Sequence, residues 1–273
     1  MVYIYKSILK ISLIGLYICL PEILWAQDGF FIPNPLVISD HTEKDQLHLS
    51  LGIGRGLDIH SSYAITNHIS VFSTVLANKG TFAYTSFAGS KYKSDKNDHS
   101  YSGGLSYFFE SKSNIRYETN LALAQFKTDN YTYFPGDKGT QTNTNYRSIF
   151  SQISATKDKE KYQVGFATRL SYSNYSSFQF YELDEPNYRN RYQNAWSVNI
   201  EPVGGFSVKI KGTKINFQGG ISLPIITDYV KEYQLDLSTN EERLFTHSLT
   251  KPGFANFIGR VSIHHNFLLR KNK

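Results

Sequence analysis

The chain has 273 residues, a net charge of +6, a mean hydropathy of -0.37 and 15% aromatic residues. After the first thirty residues no run approaches the ~20 consecutive apolar residues that a membrane-spanning helix needs, so a helical membrane protein is excluded. One Cys (Cys19) excludes a disulfide framework, and the charge is too dispersed for the basic footprint of a nucleic-acid binder.

Residues 1–26 read as a secretory signal peptide. Lys6 and Lys10 supply the basic region, an apolar run follows over 11–20, Pro21 ends it, and Leu24-Trp25-Ala26 places cleavage after Ala26. The bulky Ile18 before Cys19 argues against lipid attachment there. Cleavage removes two Lys and one Glu (Glu22), so the mature chain is one unit less positive and has no Cys. Residues 27–44, with Pro33 and Pro35, form an extended periplasmic lead-in that either tucks into a barrel mouth or hangs free.

From residue 45 to 273 the signal is period-2 alternation. Leu47, Leu49, Leu51 and Ile53 alternate with polar residues, Gly54-Arg55-Gly56 permits a tight turn, and 57–63 alternates again. Further strands are predicted at about 68–77, 100–110, 115–124, 146–156, 162–172, 196–210, 215–225 and 257–264, which makes ten. The short links 111–113, 157–160 and 211–213 alternate with long polar ones at 78–99, 128–145, 175–194 and 227–253. A soluble sandwich has no reason to sort its loops by length onto one end. An up-and-down antiparallel transmembrane β-barrel does, with short periplasmic turns and long extracellular loops. The expected location is the cell outer membrane.

The apolar face of such strands must meet lipid, because the bilayer core has no partner for an exposed charge. Asp58, Arg116, Glu118, Arg169, Glu201 and Arg260 therefore line the lumen. Both signs are present, which predicts a network of buried pairs. Ten strands lie near the size at which side chains fill the interior, so a closed lumen is favoured over a narrow channel. Tyr63, Tyr107, Phe109, Tyr162, Tyr172, Trp196 and Phe267 sit where interfacial girdles are expected. The loop tyrosines Tyr84, Tyr92, Tyr131, Tyr133, Tyr175, Tyr181, Tyr188 and Tyr192 point either to a binding surface or to a packed loop cap.

No catalytic, cofactor-binding or metal-ligating spacing is present. His264 and His265 are neighbours on a strand and point to opposite faces. Gly52, Gly54 and Gly56 precede a strand, so they form no phosphate loop. Ten-stranded outer-membrane proteases use carboxylates and a His near the outer rim. Asp95, Asp98, His99, Asp184, Glu185, Asp228 and His247 supply those residue types here, without a pattern that fixes their geometry.

Several strands also resemble a family of small outer-membrane barrels from Bacteroidota, many of them lipoproteins. Residues 56–69 (GLDIHSSYAITNHI) resemble its second hairpin arm and turn, and 150–153 and 166–172 its middle strands. Asn199-Ile200-Glu201-Pro202 and 217–222 (FQGGIS) resemble its glutamate-proline strand and the strand after it. The resemblance implies the barrel and its location and carries no activity; the lipidated Cys of many members is missing.

The expected function is a non-enzymatic, surface-binding or accessory role through the loops, with outer-membrane lipids, lipopolysaccharide or a protein as partner. A narrow porin-like channel and a rim enzyme (protease or lipid hydrolase) are the alternatives.

Overall fold

A computed structural model describes Leu36, Ile38 and residues 40–85, 91–134, 138–182, 187–210, 212–227, 229–248 and 256–269, with 84, 85, 181, 229, 230 and 246–248 as backbone only. Residues 1–26 and most of the lead-in lie outside that set. The described strands are β1 (Gln46–Ile53), β2 (Leu57–Ala64), β3 (Ile69–Thr85), β4 (Lys91–Glu110), β5 (Ile115–Phe134), β6 (Lys138–Asp158), β7 (Tyr162–Glu182), β8 (Tyr188–Gln193), β9 (Trp196–Ile210), β10 (Thr213–Thr227), β11 (Tyr229–Asp236), β12 (Glu241–Ser248) and β13 (Asn256–Leu268).

Ten of these close into an antiparallel barrel. Pairing runs from β1 through β7 in chain order, then to β9, β10 and β13, and β13 returns to β1. Period-2 side chains divide the wall. Leu51, Ile59, Tyr101, Leu121, Leu123, Ile153, Phe166 and Ile263 stand out on the outer face with half or more of their surface exposed. Their inward neighbours are almost all buried. That outer band has no protein partner, as the lipid-facing surface of a membrane barrel requires.

The start of β1, the end of β13 and the links 65–68, 111–114, 159–161 and Gly212 lie at one end of the barrel, the turn end. Asn114 (φ 56°) and Gly212 (φ 84°) supply the left-handed residues two of these turns need. The opposite end is the rim, and its long connections differ from expectation. Segments 78–99, 128–145 and 175–194 are mostly strand where they are described, continuing β3 to β7 upward with one register shift, between β6 and β7. Likewise β11 and β12 occupy most of 227–253. The inward residues of these extensions are buried but mostly polar (Ser94, Thr128, Asn130, Thr132, Thr144) and the outward ones are polar too, so apolar/polar alternation fades while the pairing continues. Strand propensity of Thr and Tyr in stretches such as Tyr131-Thr132-Tyr133 sustains it.

The 21 residues of β6 rise about 50 Å at the usual strand rise and tilt, roughly twice the ~25 Å apolar band of such barrels. The upper half therefore stands clear of the band as a curved wall. Its order is β3–β4–β5–β6–β7–β8–β11–β12. It is absent over β1 and β2, whose connection at 54–56 is short. The upper part of β3 and the whole of β12 each pair on one side only among the described residues.

The band's height can be tested at two positions on β5. Leu121→Arg should cost about 2–4 kcal/mol in urea unfolding from lipid vesicles, and Gln125→Arg, two outward positions higher, about 0–1 kcal/mol. Equal costs would place the boundary elsewhere.

Candidate functional site

Three strata of side chains fill the barrel from the turn end to the rim. The lowest is built by the lead-in, which enters the lumen. Asp45 bonds to both flanking elements (its N to Ala64 O at 2.9 Å, its O from Leu269 N at 3.1 Å). Asp40 adopts φ 57°, a conformation that Asp and Asn tolerate. Its buried carboxylate accepts from Arg116 Nη1 (3.1 Å), Gln163 Nε2 (2.9 Å) and Lys214 Nζ (2.9 Å), on β5, β7 and β10. Arg116 also pairs with Asp158 (3.3 Å), which Lys209 meets at 3.0 Å. Farther up, Leu36 is buried against Ala167, Val203 and Ile258. The described part of the lead-in (Leu36, Ile38 and 40–44) thus lies in the lumen, and a cavity of about 10 Å³ beside Asp40, Gln163, Ser207 and Asn216 has room for about one water.

The middle stratum holds two buried ion pairs and a group of histidines. Arg260 on β13 reaches across β1 to Asp58 on β2, Nε to Oδ2 at 3.0 Å, and donates to Ser50 (2.8 Å) and Ser262 (2.9 Å). Gly52 lies between them. A Cβ there would come within 2.6 Å of Arg260 Nε and 2.7 Å of Asp58 Oδ2, so the pair requires glycine's bare backbone. Arg169 and Glu201 face each other on β7 and β9, and Arg169 Nε donates to Glu201 Oε2. The second Glu201 oxygen accepts from Ser171 (3.2 Å) and Ser222 (3.0 Å), and the guanidinium lies 5.0 Å over the Phe150 ring. Glu118 accepts from the Asn120 amide at 3.1 Å. All six predicted lumen charges are therefore inside, joined by Asp40 and Lys214.

His48, His60 and His264 point inward from neighbouring strands, and His41 joins them from the lead-in. Ring centroids lie 5.1 Å (His48–His264), 5.7 Å (His48–His60) and 6.3 Å (His41–His48) apart. Their nitrogens meet Ser62, Thr74, Ser262 and each other. Among the described residues no three His, Cys, Asp or Glu side chains converge as metal ligands do.

The top stratum is aromatic. Phe126 and Tyr146 stack at 4.7 Å, Tyr146 meets Tyr175 at 4.7 Å, Tyr175 meets Phe178 at 5.5 Å, and Phe178 meets Tyr192 at 4.7 Å. Tyr175 continues the inward parity of β7, and a register shift opposite Asn145/Tyr146 skips Ser176 and brings Phe178 inward beside it. This corrects the expected tyrosine surface. Tyr175 is buried in the cluster and half-buried Tyr192 packs against it, its hydroxyl donating to Glu232 (3.2 Å). Burial, with the Glu232 carboxylate second, pushes the Tyr192 phenol well above its ordinary pKa. Tyr92 meets Phe134 edge-on at 5.6 Å on the inner face. Tyr131 and Tyr133 stack on the outer face of the wall, Lys93 lies 5.3 Å over Tyr133, and Tyr188 is exposed. The side chains of Tyr84 and Tyr181 lie outside the described residues. Three of the eight are thus placed on the surface, two in the cap and one, Tyr92, elsewhere on the inner face.

The carboxylates and histidines considered for a rim enzyme do not converge where they are described. Asp98 points inward between the amides of Asn78 and Asn130 (both 2.9 Å). His99 points outward, and Asp95 is held by Thr81 on the outer face. Asp184, Glu185, Asp228 and the His247 side chain lie outside the described residues.

No family model matches this chain, and no protein with a curated description matches it. Among solved structures it is similar to the outer membrane protease OmpT from Escherichia coli, at a TM-score of 0.56 and 9% identity over 82% of this chain and 94% of that one. The translocator domain of autotransporter NalP from Neisseria meningitidis also matches, at 0.44 and 9% over 84% and 91%. So does CarO2 from Acinetobacter baumannii, at 0.33 and 10% over 81% and 98%. Identities this low speak for fold alone, and the fold is that of an outer-membrane β-barrel.

Breaking the central pair with Glu201→Ala strands Arg169 in the lumen and should cost about 3–5 kcal/mol in denaturant unfolding. The double change Arg169→Met with Glu201→Leu should cost clearly less. Asp40→Asn should free the lead-in, read as faster proteolysis before residue 45 with the barrel intact.

Proposed function

We propose that this protein is a non-enzymatic outer-membrane barrel, closed by its own lead-in and lumen, which works through the wall above its rim as a binding surface or accessory subunit. The chain is exported by residues 1–26, cut after Ala26, and its rim faces outward. One observation carries this reading: the inward side chains are cut off from water along the height of the barrel. Arg169 and Glu201 are each 1% exposed, and Gln152, Asn120 and Asn199 are 0% exposed. A conducting pore would leave such groups hydrated, whereas here Arg169 is paired with Glu201 and Asn199 donates to Ser222. With the lumen filled, the surface left for a partner is the wall. It presents Tyr131, Tyr133 and Tyr188, together with Leu237, Leu244 and Phe245 around the turn between β11 and β12.

Purified protein in a planar bilayer should carry no current, and steady conductance would remove the closed-barrel reading. Shortening the 128–145 hairpin should leave heat-modifiable gel migration intact. It should also abolish co-purification of the partner from native membranes in mild detergent. An unchanged set of co-purifying molecules would count against the wall as the working surface.

A further inference from the structure

The outer face of the wall changes character abruptly at the top of the apolar band. On β3 to β6 the outward residues below the change are Val75, Tyr101, Leu123 and Ile149, all exposed. Just above it stand Lys79, His99, Lys127 and Arg147. The pairing register makes His99 and Lys127 direct cross-strand neighbours. Arg147 sits diagonal to Lys127, across from Gln125, and Lys79 is diagonal to His99, across from Asn97. Cross-strand neighbours of this kind lie about 5–8 Å apart, so the four form one arc over four strands.

None of the four makes an ion pair or side-chain hydrogen bond among the described residues. The acids nearest on the same face are engaged elsewhere. Asp129 accepts from Gln141 (3.2 Å), and Asp95 accepts from Thr81 (2.6 Å) and meets Lys93 at 3.9 Å. The arc is also confined to one side. At the corresponding height β7 presents Asn174, directly across from Arg147, and β9 presents Trp196, directly across from Asn174. A uniform belt of snorkelling cations would encircle the barrel; this one does not.

We infer that Lys79, His99, Lys127 and Arg147 form a binding site for the phosphorylated headgroup of an outer-leaflet glycolipid, whose acyl chains lie down the apolar face of β3 to β6. The cations stand one or two outward positions above the last apolar residue, about 5–10 Å along a tilted strand, which is the depth of headgroup phosphates. A soluble anion would use the cations but not the apolar face directly beneath them; a phosphorylated lipid uses both. This inference rests on the outer-membrane placement proposed above.

The test uses the full mature chain in nanodiscs of phosphatidylcholine doped with bis-phosphorylated lipid A or its dephosphorylated form. Bound lipid is read by native mass spectrometry after transfer to detergent. The phosphorylated form should be retained and the dephosphorylated form largely lost. The triple variant Lys79→Ala, Lys127→Ala, Arg147→Ala should bind on the order of a hundredfold more weakly, from about fivefold per cation. Lys112→Ala, Lys159→Ala, Lys161→Ala, in the turns at the other end, should bind as the parent does. Added salt should weaken retention. Equal retention of the two lipids, equal loss in both triple variants, or displacement of lipid A by millimolar inorganic phosphate would overturn the inference. A barrel that inserts but keeps lipid A despite the triple change defeats the site alone. A chain that fails to enter the bilayer defeats the outer-membrane reading beneath it.

Discussion

A ten-strand barrel in lipid has to satisfy every inward polar group from within, because its outer face is committed to hydrocarbon and its lumen is too narrow for bulk water. That constraint governs the interior described above. Arg169 is tolerable only because Glu201 faces it in register, with Ser171 and Ser222 filling the remaining acceptor positions. Arg260 reaches Asp58 only because Gly52 leaves the space between them open. The seryl and threonyl side chains along the inner face are short donors and acceptors that fill gaps between larger charged groups without adding charge.

The same constraint explains why the lead-in is inside. Arg116, Gln163 and Lys214 converge at the turn end, where Asp158 of β6 pairs with Arg116 and Lys209. Burying Lys214 there without a counter-charge of its own would be unfavourable. Asp40 provides that charge from outside the strand set, and Leu36 covers the apolar patch formed by Ala167, Val203 and Ile258. The lead-in therefore completes the interior in both charge and volume.

Much of this was legible in the sequence, and the reasons are specific. Alternation through 115–124 and 162–172 works as a guide because one face meets lipid and the other does not. It assigns Arg116, Glu118 and Arg169 inward correctly. Above the band that contrast disappears, so β8, β11, β12 and the upper halves of β3 to β7 read as loops although they are hydrogen-bonded strand. Tyr175 shares the inward parity of Arg169 and Ser171, and Tyr131 the outward parity of Leu121 and Leu123; read as loop, both lose that label, and the skip at Ser176 sets only the direction of Phe178 beyond it. Asp40 gave no local sign of its role, since its partners lie far along the chain. The histidines offered a faint one: His48, His60 and His264 all fall on inward positions of adjacent strands.

The Asp40 contacts also have a kinetic side. Its three side-chain partners are 76, 123 and 174 residues away. None of those bonds forms until β5, β7 and β10 stand in one closed ring, and ring closure itself waits for β1 to meet β13, the last of the described strands. Pairings at such separation are slow, and barrels built on them expose unpaired strand edges while they assemble. The lead-in, although it precedes every described strand in the chain, is thus among the last elements to find its place. Its seating marks a barrel that has finished folding.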